Sequence, residues 1–183
     1  VPWSFAGPEV HLRGRYSAAD SVFPLTEQAN TYCIDQSSTN PNLLYCGTES
    51  GGLYKSVDKG QHWTLVSRGL LIYSVSAVAI NPSNENEVMF GASGLIYKTT
   101  NGGNSWQLTG DVNFQGSNVN PWQIEYNPNN AQIVYAACDK GFYRTTDGGS
   151  NWTLVLPDES MSVAIKPTDP NTIYTLQYNP ATK

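Results

Sequence analysis

From residue 31 onward, short apolar runs alternate with polar turns in a fixed order. Ser76-Ala-Val-Ala-Ile-Asn-Pro-Ser-Asn84 returns as Ser162-Val-Ala-Ile-Lys-Pro-Thr-Asp169. Val88-Met-Phe-Gly91 and Leu95-Ile-Tyr-Lys98 have counterparts in Leu44-Tyr-Cys-Gly47 with Leu53-Tyr-Lys55, and in Val134-Tyr-Ala136 with Phe142-Tyr-Arg144. Runs of three to five residues rich in Val, Ile, Tyr and Phe and bounded by Asn-Pro or Gly predict short strands joined by tight turns. Each unit therefore reads strand, Asn-Pro turn, strand, Gly turn, strand, polar box, strand.

The box is the most constant part of the unit: Ser56-Val-Asp-Lys-Gly-Gln-His-Trp63, Thr99-Thr-Asn-Gly-Gly-Asn-Ser-Trp106 and Thr145-Thr-Asp-Gly-Gly-Ser-Asn-Trp152. Read as a hairpin, each letter has a task. Asp58, Asn101 and Asp147 accept backbone N–H bonds as turn residues do, and Ser56, Thr99 and Thr145 tether those side chains. Gly60, Gly103 and Gly149 supply a positive φ. Trp63, Trp106 and Trp152 open the fourth strand and bury a large ring against the neighbouring unit. The Trp residues recur at spacings of 43 and 46, a period that predicts an all-β propeller of four-stranded blades. About three and a half blades are expected, over residues 31–68, 76–110 and 122–157, with an incomplete one over 161–183. Because the last blade stops after two strands, the chain reads as a fragment of a larger ring. Residues 1–30 match no repeat and form a lead that could supply the ring-closing strand.

The boxes resemble the Asp-box repeat, S/T-x-D/N-x-G-x-x-W, of bacterial neuraminidase-type repeats, the sortilin luminal domain, xyloglucan-degrading glycosidases and large secreted bacterial proteins. In that family the box is architectural, so the resemblance implies a fold and leaves activity to the loops. It further implies a secreted or cell-surface bacterial protein, a possible type IX secretion substrate concerned with adhesion or gliding. Xyloglucanase-like relatives carry an aspartate in a Thr-acid-x-Gly-Gly-x-Tyr turn. The present chain has Glu49 in Thr48-Glu-Ser-Gly-Gly-Leu-Tyr54, a weak catalytic candidate whose second carboxylate would have to lie outside these residues.

Composition narrows the classes. A net charge of -5 with only ten Lys and Arg, scattered along the chain, argues against a nucleic-acid surface. No apolar run approaches the roughly 20 residues of a membrane-spanning helix. His11 and His62 lack zinc-ligand spacing, the Asp-rich turns lack the alternating oxygen donors of a calcium loop, and no cofactor motif is present. A sialidase would need converging arginines. Of the four present, Arg13 and Arg15 lie in the lead, Arg68 follows the first blade, and Arg144 shares a repeat position with Lys55 and Lys98. Asn151-Trp-Thr153 is a glycosylation sequon inside a box.

Cys33 aligns by eye with Ala79 and Ala164, and Cys46 with Gly91 and Ala136, which makes them small packing residues. A hairpin centred on Ser-Thr-Asn-Pro would instead set Cys33 opposite Cys46 and permit a disulfide, with Cys138 free.

Ligands are expected on the face opposite the boxes. The linkers there run from Ser67 to Ser74, from Thr109 to Pro121, and from Leu156 to Ser160. Arg68, Tyr73, Asp111, Asn113, Phe114 and Trp122 are the candidates, pairing polar groups with aromatic faces. The expected partners are the remaining blades and domains of the same polypeptide and a protein or polysaccharide ligand.

Overall fold

A computed structural model describes residues 30–178. The lead, including Arg13, Arg15 and the expected ring-closing strand, lies outside the described residues, as do residues 179–183. The chain is an all-β partial propeller. Strands β1 (Thr31–Gln36), β2 (Leu44–Thr48), β3 (Leu53–Ser56) and β4 (Thr64–Leu65) form one antiparallel sheet in that order. The second holds β5 (Ala77–Ile80), β6 (Val88–Ala92), β7 (Leu95–Thr99) and β8 (Gln107–Leu108). A short helix, α1 (Val112–Gly116), precedes the third sheet, β9 (Pro121–Tyr126), β10 (Val134–Cys138), β11 (Gly141–Thr145) and β12 (Thr153–Leu156). Finally β13 (Glu159–Ile165) pairs with β14 (Ile173–Tyr178) alone.

The first strands stand side by side: β1 touches β5, β5 touches β9, and β9 touches β13. They form the inner wall of the ring. Polar ties join them across the seams, since the Ile80 N–H donates to Asp35 Oδ2 at 2.7 Å and the Val163 N–H to Gln123 Oε1 at 3.0 Å. Between blades lie the apolar cores. Met89, Ile96, Ile124, Tyr126 and Val134 fill the seam between the second and third blades, and Tyr45, Leu53, Val78, Val88 and Phe90 that between the first and second.

The box geometry follows from its chemistry. The Ser56, Thr99 and Thr145 hydroxyls each donate at 2.8 Å to the acid or amide two residues on. The same hydroxyls accept the N–H of Gly60, Gly103 and Gly149 at 2.8, 3.1 and 3.0 Å. Those glycines sit at φ 84, 92 and 94°, each after another residue of positive φ: Lys59, Gly102 or Gly148. The Gly-Gly pairs of the second and third boxes enter two consecutive left-handed positions without steric cost, whereas Lys59 in the first box does so at a cost.

Two of the tryptophans weld their blade to the one before it. Trp106 Nε1 donates to the Val66 carbonyl at 2.9 Å, and Trp152 Nε1 to Thr109 Oγ1 at 3.1 Å. Trp63 Nε1 turns to its own Gly60 carbonyl, 2.9 Å away. A second weld uses lysine: Lys55 Nζ donates to the Gly102 carbonyl at 2.8 Å and Lys98 Nζ to the Gly148 carbonyl at 2.9 Å.

Asp58 and Asp147, both exposed to solvent at the carboxylate, are pulled down to about 2. For Asp58 the chief cause is the His62 backbone N–H, followed by its ring; for Asp147 it is the Asn151 side chain, then its N–H. A carboxyl whose folded value is depressed contributes stability that is complete above its ordinary value and disappears as pH falls. Melting temperature is therefore expected to decline between about pH 4 and about pH 2. Asp147→Asn should shrink that acid decline, because Asn101 already fills the same role as an amide, accepting the Ser105 N–H at 3.0 Å. Thermal melts of both proteins across this pH range check it.

Candidate functional site: the inner wall and its mouth

The structure spreads the sequence-derived candidates over three places. Arg68 is exposed on the first linker, as is Tyr73 at 60%; the Tyr73 carbonyl accepts the Gly52 N–H at 2.7 Å, fixing that linker to the β2–β3 turn. Asp111, Asn113 and Phe114 belong to the second linker, which holds the short helix α1. Asp111 caps α1, accepting the Phe114 N–H at 2.9 Å. Phe114 is buried, stacked on Trp152 with centroids 5.6 Å apart and edge-on to Tyr143 at 5.5 Å. Its ring seals the core beneath the linker and offers no face to a ligand. Trp122 belongs to β9 and looks into the channel, 46% exposed.

Glu49 has a structural explanation that the sequence did not reveal. Its Oε2 accepts from Asn30 Nδ2 at 2.6 Å, and its N–H donates to the Asn30 carbonyl at 2.8 Å. Asp139 repeats the arrangement in the third blade. Asn120 Nδ2 donates to Asp139 Oδ2 at 2.8 Å, and the Asp139 N–H donates to the Asn120 carbonyl at 3.0 Å. In both blades the acid after the second strand locks the Asn that leads into the first. Glu49 also holds the Tyr32 hydroxyl above its ordinary range through a side-chain hydrogen bond.

The cysteine alignment needs correction. Register pairs Cys33 with Gly47 and Ile34 with Cys46, so the two side chains point to opposite faces of the hairpin, as a one-residue offset requires. No disulfide joins them; all three cysteines are free thiols. Cys33 Sγ donates to the Val75 carbonyl at 3.6 Å and Cys46 Sγ to Thr31 Oγ1 at 3.8 Å. Since Ala77 pairs with Gly91, the equivalent of Cys33 is Ala77, and that of Cys46 is Phe90 rather than Gly91, while its match to Ala136 holds. The residue matching Ala79 and Ala164 is Asp35.

That shift exposes what the sequence reading missed. Asp35 and Glu125 occupy one repeat position, which Ala79 and Ala164 fill in the other blades. Both line a groove of about 870 Å³ along the inner wall, with Tyr32, Trp122, Gln123 and Ile165 also bordering it. Burial pushes both carboxyls above the ordinary range. N–H groups of Ile80 and Gln36 restrain the rise at Asp35. The Gln123 amide, 3.1 Å away, restrains that at Glu125, whereas the charge of Asp35 adds to it. Tyr32, 51% exposed, and Trp122 stand at the beginnings of β1 and β9, hence at the end of the groove opposite the boxes. Two open aromatic faces frame one mouth, with carboxyl groups deeper in. Among the described residues no group of three or more His, Cys, Asp or Glu could hold a metal, and no helix is long and apolar enough to cross a membrane.

The family model described as "Sortilin, neurotensin receptor 3" (Sortilin-Vps10) matches residues 51–183, from the β2–β3 turn through all three later sheets. The chain belongs to the Sortilin-Vps10 family. A probable oligoxyloglucan-reducing end-specific xyloglucanase of Neosartorya fischeri is 34% identical over 76 residues, covering 37% of this chain and 9% of the relative. The Niastella koreensis GH74 enzyme superposes with a TM-score of 0.64 at 21% identity, over 80% of this chain and 26% of that one. YCF48 bound to D1 peptide gives 0.57 at 20% identity, over 77% of this chain and 45% of that one. The chain thus spans less than half the length of each, and the likeness to these solved structures establishes the propeller fold.

Proposed function

We propose that the chain is a non-catalytic recognition segment of an extracellular propeller, which takes a polysaccharide at the aromatic mouth of its inner groove. The observation that carries this reading is that Tyr32 and Trp122, two rings left open to solvent, border one groove that Asp35, Gln123 and Glu125 also line. Flat apolar faces over hydrogen-bonding side chains suit sugar rings. Within this reading Glu49 is a positioning residue that orients Tyr32, because its oxygens are engaged by Asn30 and Tyr32 in the lock that Asp139 and Asn120 repeat. Its larger setting is a secreted or cell-surface bacterial protein, exported by a type IX route and concerned with adhesion or gliding. Absence of a membrane-spanning helix among the described residues is compatible with that setting.

A second reading, part of a secreted glycoside hydrolase, is favoured by the 34% identity to the xyloglucanase. Hydrolysis needs two carboxyl groups at the scissile bond, one of them free to move a proton. A xyloglucan oligosaccharide presented to the intact protein separates the two. On the recognition reading it binds without being shortened, and Trp122→Ala weakens binding by about tenfold, the value of one lost stacking contact. The melting temperature stays nearly unchanged, since this ring is half exposed.

A further inference from the structure

The second box differs from the other two in one chemical respect. Asp58 precedes Lys59 and Asp147 precedes Gly148, whereas Asn101 precedes Gly102 in the one Asn-Gly pair of the chain. Asparagine before glycine is open to attack by its own backbone, because with no side chain in the way the glycine nitrogen can reach the amide carbon Cγ. The nitrogen bonds to Cγ, the Cγ–Nδ2 bond breaks, and the nitrogen's proton leaves with the amide group as ammonia. Water then opens the resulting succinimide. Opening at Cγ leaves aspartate with the main chain intact. Opening at the Asn101 main-chain carbonyl leaves isoaspartate, whose main chain runs through Cγ and is one carbon longer.

In the folded box both reacting groups are engaged elsewhere. Asn101 Oδ1 accepts the Thr99 hydroxyl at 2.8 Å and the Ser105 N–H at 3.0 Å, and its Nδ2 donates to Ser105 Oγ at 2.8 Å. Gly102, which is buried, donates its N–H to the Asn86 carbonyl at 2.8 Å, and its own carbonyl accepts from Lys55 Nζ of the preceding blade at 2.8 Å. Attack requires the amide to turn and Gly102 to leave Asn86, so it waits for local opening. Asn101 is itself exposed, which puts water for the second step at hand. The two products then meet different fates. Aspartate is what the sister boxes carry: Asp58 and Asp147 each accept their box hydroxyl at 2.8 Å and the N–H four residues on at 2.9 Å. Isoaspartate displaces Gly102 and Gly103 along the chain and breaks the 3.1 Å bond from the Gly103 N–H to Thr99 Oγ1 together with the Asn86 and Lys55 bonds.

We propose that Asn101 is a self-modification site controlled by the seam between the first and second blades. When the box opens, the Gly102 nitrogen converts the amide to a carboxylate; when it closes, only the aspartate product is taken back. Lys55 is the guard, because it reaches across from the neighbouring blade and holds the attacking residue itself. A chain that opens repeatedly therefore either gains a third box carboxylate or loses its second box.

The test incubates the 183-residue chain at neutral pH, folded and in urea, and resolves the peptides spanning the box by chromatography and mass spectrometry into asparagine, aspartate and isoaspartate forms. In urea Asn101 should be converted ahead of the other asparagines. In the folded chain the conversion should be about a hundredfold slower, the effect of two hydrogen bonds that must first break. Lys55→Ala should speed the folded reaction by about tenfold and leave the rate in urea unchanged. Lys98→Ala removes the corresponding lysine from the next seam and should leave Asn101 at the parental rate, which separates local guarding from a general loss of stability. After refolding, the folded fraction should hold aspartate and little isoaspartate, and Asn101→Asp should melt no lower than the parent. An Asn101 that survives in urea, equal rates folded and in urea, a Lys98→Ala effect as large as that of Lys55→Ala, or isoaspartate in the folded fraction at its proportion in urea would each overturn the proposal.

Discussion

Replacing Trp106 with alanine will destabilise the protein by about 3 kcal/mol, the range for removing a large aromatic ring from a packed seam. Trp106 meets Phe90 edge-on with centroids 4.7 Å apart, and Phe90 in turn stacks on Tyr97 at 4.9 Å. Its indole N–H also holds the Val66 carbonyl of the preceding blade. The substitution thus removes the ring contact, opens a cavity beside Phe90 and leaves that carbonyl without its donor. Trp63→Ala is the internal control, because its N–H bonds to its own box. Denaturant titration of the two variants should show the larger loss for Trp106. Equal losses would mean that the boxes stabilise their own hairpins and do not join blades.

Gly91→Ala will cost about 2 to 3 kcal/mol, the upper range for forcing one methyl group into a closed site. Gly91 lies in β6 with a side-chain direction that runs straight into the ring of Pro121, the first residue of β9. A rigid pyrrolidine on the backbone of the next blade cannot yield as a long side chain would, so the inner strands must separate. Ser76 reinforces the contact, its hydroxyl donating to the Pro121 carbonyl at 2.6 Å. Gly116→Ala offers the comparison: nothing stands within 4 Å of the added carbon, and removing a glycine there should leave stability unchanged or slightly higher. Thermal melts of both variants would decide whether close approach at Gly91, and not loss of glycine as such, is responsible.

The boxes were legible because each has a local explanation: hydroxyl, acid or amide, glycine and tryptophan interact over eight residues, and three copies agree. The channel carboxylates were not. Asp35 and Glu125 are recognisable only once the register equates them with Ala79 and Ala164. A carboxylate where other repeats carry alanine was the available signal. Helix α1 escaped because five residues are too few for a 3.6-residue period to declare itself, although Asp111 three residues before an apolar Phe114 has the form of a cap. Phe114 was read as ligand-facing because its linker is long. Its burial against Trp152 depends on a contact 38 positions away, which no local pattern encodes. Glu49 was singled out by the wording of its turn; what the letters do not show is its pairing with Asn30, a tertiary contact repeated by Asp139 and Asn120.

The most direct test of the recognition reading is the fate of a xyloglucan oligosaccharide incubated with the intact protein, analysed by mass spectrometry for the parent chain and for Glu49→Gln. If Glu49 only positions Tyr32, both proteins will return the oligosaccharide at its original length, and both will bind it. Shortened products from the parent that vanish with Glu49→Gln, at an unchanged melting temperature, would contradict the account and make Glu49 a catalytic carboxylate.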